Sequence, residues 1–132
     1  MKASVFLPEL PMFAAQNLHA AFARVTEHWS PKVIGKVNDQ LLKAAKIKGE
    51  LVWHAHDQED ELFYVVKGGM RIELEDGMVE LREGDFFTVP KGVRHNPVAD
   101  EECWILLIES ASTRHTGDEV TPLTRSIEEQ YS

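Results

Sequence analysis

The stretch Leu51-Val-Trp-His54-Ala-His56-Asp-Gln-Glu-Asp-Glu61-Leu-Phe-Tyr-Val-Val66 decides how this chain is read. Residues 51 to 57 read as a strand, whose side chains alternate between faces with a period of two. His54 and His56 therefore share one side, and Trp53 and Ala55 take the other. The acidic run Asp57-Gln-Glu-Asp60 reads as a turn. Glu61 then opens a second strand, and a hairpin of this kind can return its carboxylate beside the two imidazoles.

Working outward, Gly84-Asp-Phe-Phe-Thr-Val-Pro90-Lys-Gly92-Val-Arg-His95 takes a strand into a Pro-Lys-Gly turn that re-aims the chain at a third histidine. Three imidazoles and one carboxylate suit a borderline first-row divalent ion, with neutral imidazole the commonest metal ligand. An octahedral ion held by His54, His56, Glu61 and His95 keeps about two positions for water or substrate.

The rest of the chain has the same β texture. Strands are predicted at 33–34 with 37, and at 41–47, 61–67, 70–75, 78–82, 85–90 and 103–109. The Lys and Ala content of 41–47 favours a helix, but its length and surroundings favour a strand. Between 70 and 82, Ile72 and Leu74 alternate with Arg71, Glu73 and Glu75, and Val79 and Leu81 alternate with Glu80 and Arg82. Asp76-Gly77 between them predicts a type I′ hairpin turn. Each strand of this pair shows one face to the core and one to water. Short strands at close spacing imply a sandwich or barrel. Residues 1 to 12 look irregular because of Pro8 and Pro11. Residues 14 to 25 can form a short helix, with Leu18, Phe22 and Val25 on one stripe. Residues 110 to 132 are mostly polar and are expected to wrap the surface or remain mobile.

These spaced residues resemble the cupin superfamily. Its first motif reads here as Gly49, His54, His56, Glu61 and Gly68, and its second as Gly84, Pro90, Gly92 and His95. The interval from Gly49 to His54 is one residue shorter than the family pattern, and Ala99 stands where the second motif ends in Asn. Neither departure touches a ligand position. The resemblance implies an all-β fold, a double-stranded β-helix or jelly-roll barrel with a short N-terminal helix and a metal inside the barrel mouth. It implies one domain over 1–132, with a motif core at 49–109, an N-terminal arm at 1–48 and a C-terminal polar segment at 110–132. It also implies a homodimer. Around Leu62-Phe-Tyr-Val-Val66 both strand faces are apolar, as expected of a strand covered on both sides by a second sheet or a second subunit.

Composition bounds the partners. Of 132 residues, 43% are hydrophobic and 27% charged, near the globular average. The formal net charge of -8, with no long basic run, argues against nucleic acid and against an anionic membrane surface. A single cysteine, Cys103, permits no intramolecular disulfide and fits a reducing compartment. No signal peptide or membrane-spanning run is evident, so a cytoplasmic location is expected.

Other residues have simpler readings. Glu59 and Asp60 belong to a solvated turn, and His19, His28 and His115 to surface or ordinary polar contacts. Cys103 reads as a small buried hydrophobe. Phe63, Met70, Phe86, Phe87 and Trp104 are candidates to line a pocket, and Lys91 or Arg94 to bind an anion, although core packing and solvated charge are the commoner roles. The functional expectation is a metal-dependent enzyme acting on a small molecule, a dioxygenase, sugar-phosphate isomerase or lyase, with Fe, Mn, Ni or Zn as the ion. A nearby carboxylate or Tyr64 is the candidate proton carrier, and no catalytic residue is assigned. The alternative is a binding or sensing module without turnover.

Overall fold

A computed structural model describes residues 13–132, so the reading of residues 1 to 12 lies outside the described part. The strands are β1 (Lys32–Val37), β2 (Gln40–Glu50), β3 (Glu61–Lys67), β4 (Gly69–Leu74), β5 (Gly77–Arg82), β6 (Phe86–Val89) and β7 (His95–Ser110). Two short helices flank them, α1 (Leu18–Ala23) and α2 (Ile127–Tyr131). Asn17 caps α1 by accepting from the Ala20 amide at 3.0 Å.

All the ladders are antiparallel, and β7 is their spine. Its second half lies between β2 and β3, and β3 continues the sheet to β6. Its first half pairs with β4, which forms a hairpin with β5. On the other edge of this first half, Glu50 lies opposite Val98 and His54 opposite His95. One long strand is thus shared by both walls of the barrel, and the all-β fold with a short N-terminal helix is as expected.

Two apolar clusters use opposite faces of the sheet. Inside, Ala45, Ile47, Phe63, Val65, Ile72, Cys103, Ile105 and Leu107 make the barrel core with Trp29. Outside, α1 lays Ala21 and Phe22 on Ile34 and Ala44, against Val66, Trp104 and Leu106. Phe22 stacks on Trp104 with ring centroids 4.9 Å apart. One outer stretch of β3 is therefore covered by a helix of the same chain.

Three expectations need correction. Residues 51–57 do not form a regular strand, because only His54 is bridged, although His54 and His56 are still buried on one side. The tight turn is Glu75-Asp76, since Leu74 pairs with Gly77 and neither turn residue has positive φ. Pairing Ile72 with Val79 and Met70 with Leu81 matches the apolar faces, and this fixes the register one residue earlier than the Asp-Gly signal suggested. β7 begins at His95, well before 103. The C-terminal segment does wrap the barrel, but Thr113, Thr116 and Gln130 are buried in it, and α2 carries a complete capping box from Ser126 to Glu129.

Candidate metal centre

The ladder geometry brings the two motif halves together. His54 and His95 face each other as a hydrogen-bonded pair, N–H to O=C at 3.0 and 2.9 Å. The His56 carbonyl accepts from the Gly92 amide at 2.8 Å, so the Pro-Lys-Gly turn holds the second histidine in place. Glu61, first residue of β3, points inward with Phe63 and Val65. One ligand atom from each of His54, His56, Glu61 and His95 lies within 4.8 Å of the others, and all four side chains are buried.

Their hydrogen bonds favour an ion. The Nδ1 atoms of His54 and His95 lie 2.8 and 2.9 Å from the Val52 and Val93 carbonyl oxygens, which can only accept. Each Nδ1 therefore carries the proton, and each Nε2 is left with a lone pair, the arrangement found around metal-bound histidine. His56 Nε2, Glu61 Oε1 and His95 Nε2 are buried without a hydrogen-bond partner. The Glu61 oxygen lies 3.2 Å from His56 Nε2 and 3.5 Å from His95 Nε2, close but at angles that make no hydrogen bond. Orphaned buried polar atoms are rare and call for an explanation, and a cation accounts for all three.

The electrostatics agree. Burial, then the neighbouring His95, lowers the His54 pKa from 6.5 to about 4, so this ring is neutral at pH 7. Burial pushes the Glu61 carboxyl up, but His56, His95 and Glu109 outweigh it and hold it well below the usual range. These residues could hold a divalent metal, with neutral nitrogen and anionic oxygen donors.

The surroundings divide into a dry side and a wet side. A cavity of about 30 Å³ touches His54 and Glu61 and is lined mainly by apolar groups, including Trp29, Phe63 and Leu107. A larger groove, about 300 Å³, opens from His56 between the 55–59 loop and residues 112–118. Gly117 closes tightly on the loop: its φ is +59°, and a Cβ there would come within 2.2 Å of the Ala55 oxygen.

Several candidates lie elsewhere. Tyr64 alternates with Phe63 and Val65 and so faces away from the site, which removes it as a proton carrier. Trp104 is on the outer face and Phe86 is exposed, whereas Phe63, Met70 and Phe87 pack in or against the barrel core. Glu59 accepts from the Ser112 hydroxyl and Asp60 from the Lys91 amide, so both tie the loop down from outside. Cys103 is buried, and burial, with Glu83, pushes its thiol up to about 12. His28 pairs with Glu102 at 2.8 Å, and His19 sits at the edge of Trp104. His115 is the surprise: it lines the inner cavity with His54 and Glu61, and its Nδ1 accepts from the Arg125 amide at 2.9 Å. Nothing local in the sequence marks it, because a fold-back of the C-terminal segment puts it there.

The cupin domain family profile matches residues 44–109, half the chain, covering the strands and turns that build this site. The chain belongs to the cupin family. This cupin is 36% identical over 85 residues to the uncharacterized protein YdbB of Bacillus subtilis, covering 64% of this chain and 75% of that one. Over 71 residues it is 38% identical to a 3-hydroxyanthranilate 3,4-dioxygenase of Brucella anthropi, covering 48% of this chain and only 39% of that enzyme. A cupin-2 domain protein from Shewanella frigidimarina superposes with a TM-score of 0.71 at 42% identity, over 72% of this chain and 93% of that one.

Proposed function

We propose that His54, His56, Glu61 and His95 ligate one divalent transition metal ion, and that this cupin is a metal-dependent enzyme of the dioxygenase type acting on a small molecule. The observation that carries the reading is the set of three converging, buried and unpartnered donor atoms, His56 Nε2, Glu61 Oε1 and His95 Nε2. The dioxygenase choice draws on the Brucella relative. Bound there, the ion supplies Lewis acidity and, as iron, redox chemistry with dioxygen. The protein supplies the rest. Val52 and Val93 carbonyls orient two imidazoles. The apolar cavity keeps bulk water from one side of the site. His115, with Nδ1 occupied as an acceptor, carries its proton on Nε2 and lines the same cavity as His54 and Glu61, which makes it a candidate for proton transfer.

The test is elemental analysis of tag-free protein beside His56→Ala. A stoichiometric transition metal present in the wild type and lost in the variant supports the reading. Wild type that takes up none after dialysis against iron, manganese, nickel and zinc ends it. Oxygen uptake with catechols and thiols then tests the dioxygenase assignment.

One observation favours a second reading, ligand binding or sensing without turnover. The inner cavity, at about 30 Å³, has no room for an organic substrate beside the donors. A ligand that raises the melting temperature and is recovered unchanged would support this reading. We further infer a cytoplasmic homodimer built on one domain per chain. The lone cysteine fits the compartment. The outer face around Leu62, Tyr64, Phe86 and Ile108 fits the dimer, since Phe86 and Ile108 are 69% and 41% exposed.

A further inference from the structure

The barrel interior holds an ion pair that the four candidate ligands do not explain. On β2, Leu41, Lys43, Ala45 and Ile47 form the buried inner row, so a lysine occupies an apolar position at 1% exposure. Its Nζ is 2.8 Å from Glu109 Oε2 and also donates to Gln130 Oε1. Glu109 lies on β7 directly opposite Glu61 on β3, on the same inward face. Gln130 reaches in from α2 and is itself held by the Arg125 carbonyl at 3.1 Å. Hydrogen bonds therefore run from Gln130 through Lys43 to Glu109, and Glu109 faces Glu61 across the β3–β7 ladder.

Stability alone does not call for this network. Replacing a buried ion pair by apolar groups of similar volume is often neutral or stabilising. The second oxygen of Glu109, Oε1, is buried without a hydrogen-bond partner. The network is thus incomplete at the end nearest Glu61, whose Oε1 is also unpartnered. The lysine end is satisfied, and the unpartnered oxygens lie at the carboxylate end, toward the candidate metal ligands. Groups around a metal ligand commonly set its orientation, and their loss weakens binding about 10- to 100-fold.

We propose that Lys43, Glu109 and Gln130 are positioning residues for the Glu61 carboxylate, and that through Gln130 the docking of α2 sets how well the site binds its ion. Lys43 fixes Glu109, Glu109 bounds the space open to the Glu61 carboxylate across the β3–β7 ladder, and Gln130 completes the lysine only when α2 is in place. This rests on the metal-site reading above.

The experiment measures zinc affinity of the full chain by competition with a chromogenic chelator, and the visible spectrum of the cobalt-loaded protein. The variants are Lys43→Met/Glu109→Leu and Gln130→Leu, each with its urea stability measured without metal. The double variant removes both buried charges together. It should be as stable as the wild type yet bind zinc about tenfold or more weakly, with an altered cobalt spectrum. Gln130→Leu should weaken zinc about threefold to tenfold with Glu61 and all three histidines intact. Should the double variant fail to fold, Gln130→Leu decides. Wild-type zinc affinity and cobalt spectrum in the folded variants overturn the inference and leave the metal site standing. Wild type that binds neither zinc nor cobalt overturns the metal reading and this inference with it.

Discussion

Acid should loosen the C-terminal segment, with His115 as a main cause. Its Nδ1 accepts the Arg125 amide at 2.9 Å, which a protonated imidazole cannot do. Burial lowers its pKa from 6.5 to about 4, with smaller effects from Glu61, which raises it, and from Lys43, His54 and Arg125, which lower it. The unfolded chain thus takes up this proton near the ordinary value while the folded protein resists. The stability is fully present above the unfolded pKa of 6.5 and is lost as the pH falls toward about 4. From neutrality to about pH 4.5 the loss is about 2 kcal/mol. His54 and Glu61, both depressed, add loss in the same sense, and Glu109, raised chiefly by burial, acts against it. His115→Asn isolates the one contribution, because an amide oxygen can take the Nδ1 role and does not titrate here. Urea denaturation of chelator-treated protein at the two pH values is the assay. The variant should lose about 2 kcal/mol less than the wild type on acidification. Equal losses would refute the argument that this buried, neutral histidine fastens the segment.

Two further changes test how the site is enclosed and how the outer face is used. Gly117→Ala adds a Cβ at φ +59° that would meet the Ala55 oxygen at 2.2 Å. It should cost about 2–4 kcal/mol from left-handed backbone and overpacking, and should speed trypsin cleavage at Arg114 and Arg125. Wild-type melting and cleavage would mean the segment does not press on the His56 loop. Ile108→Asp puts a charge in the middle of the outer β3–β7 face and should convert a dimer to a monomer by light scattering. A wild type that already runs as a monomer ends the dimer inference.

The parts of this fold visible in sequence are those set by local period and turn chemistry. The pattern of residues 61–67 predicts a strand, and they form β3 with the same limits, because Glu61, Phe63 and Val65 alternate inward. The four candidate ligands are visible in the motif spacing of His54, His56, Glu61 and His95, although the segment that carries the first two is not the regular strand their period of two suggests. Long-range placement is not legible in local pattern. His115 reaches the cavity only through the fold-back of 111–132, and no periodicity encodes that. The buried pair differs, because both of its residues interrupt an apolar row. Lys43 breaks the inward row Leu41, Ala45, Ile47, and Glu109 ends the inward row Cys103, Ile105, Leu107. A charged residue at such a position points to a partner on another strand.

The two sides of the site also bear on the kind of substrate. The apolar cavity beside His54 and Glu61, about 30 Å³, is the size of a water or a diatomic gas. Among the described residues, a groove of about 300 Å³ reaches the site at His56 and has room for an organic molecule. Asp57, Glu59 and Asp118 stand along that groove against Arg114, whose guanidinium is already held by Asp118 at 3.0 Å. The approach is therefore net negative, on a chain whose overall formal charge is -8. A sugar phosphate would be repelled on this path, where Arg114, the one cation among the described lining residues, is already paired with Asp118. A neutral molecule meets no such barrier. On the proposed reading, the electrostatics of this groove favour a neutral molecule over a sugar phosphate, and binding assays with the two classes side by side check that order.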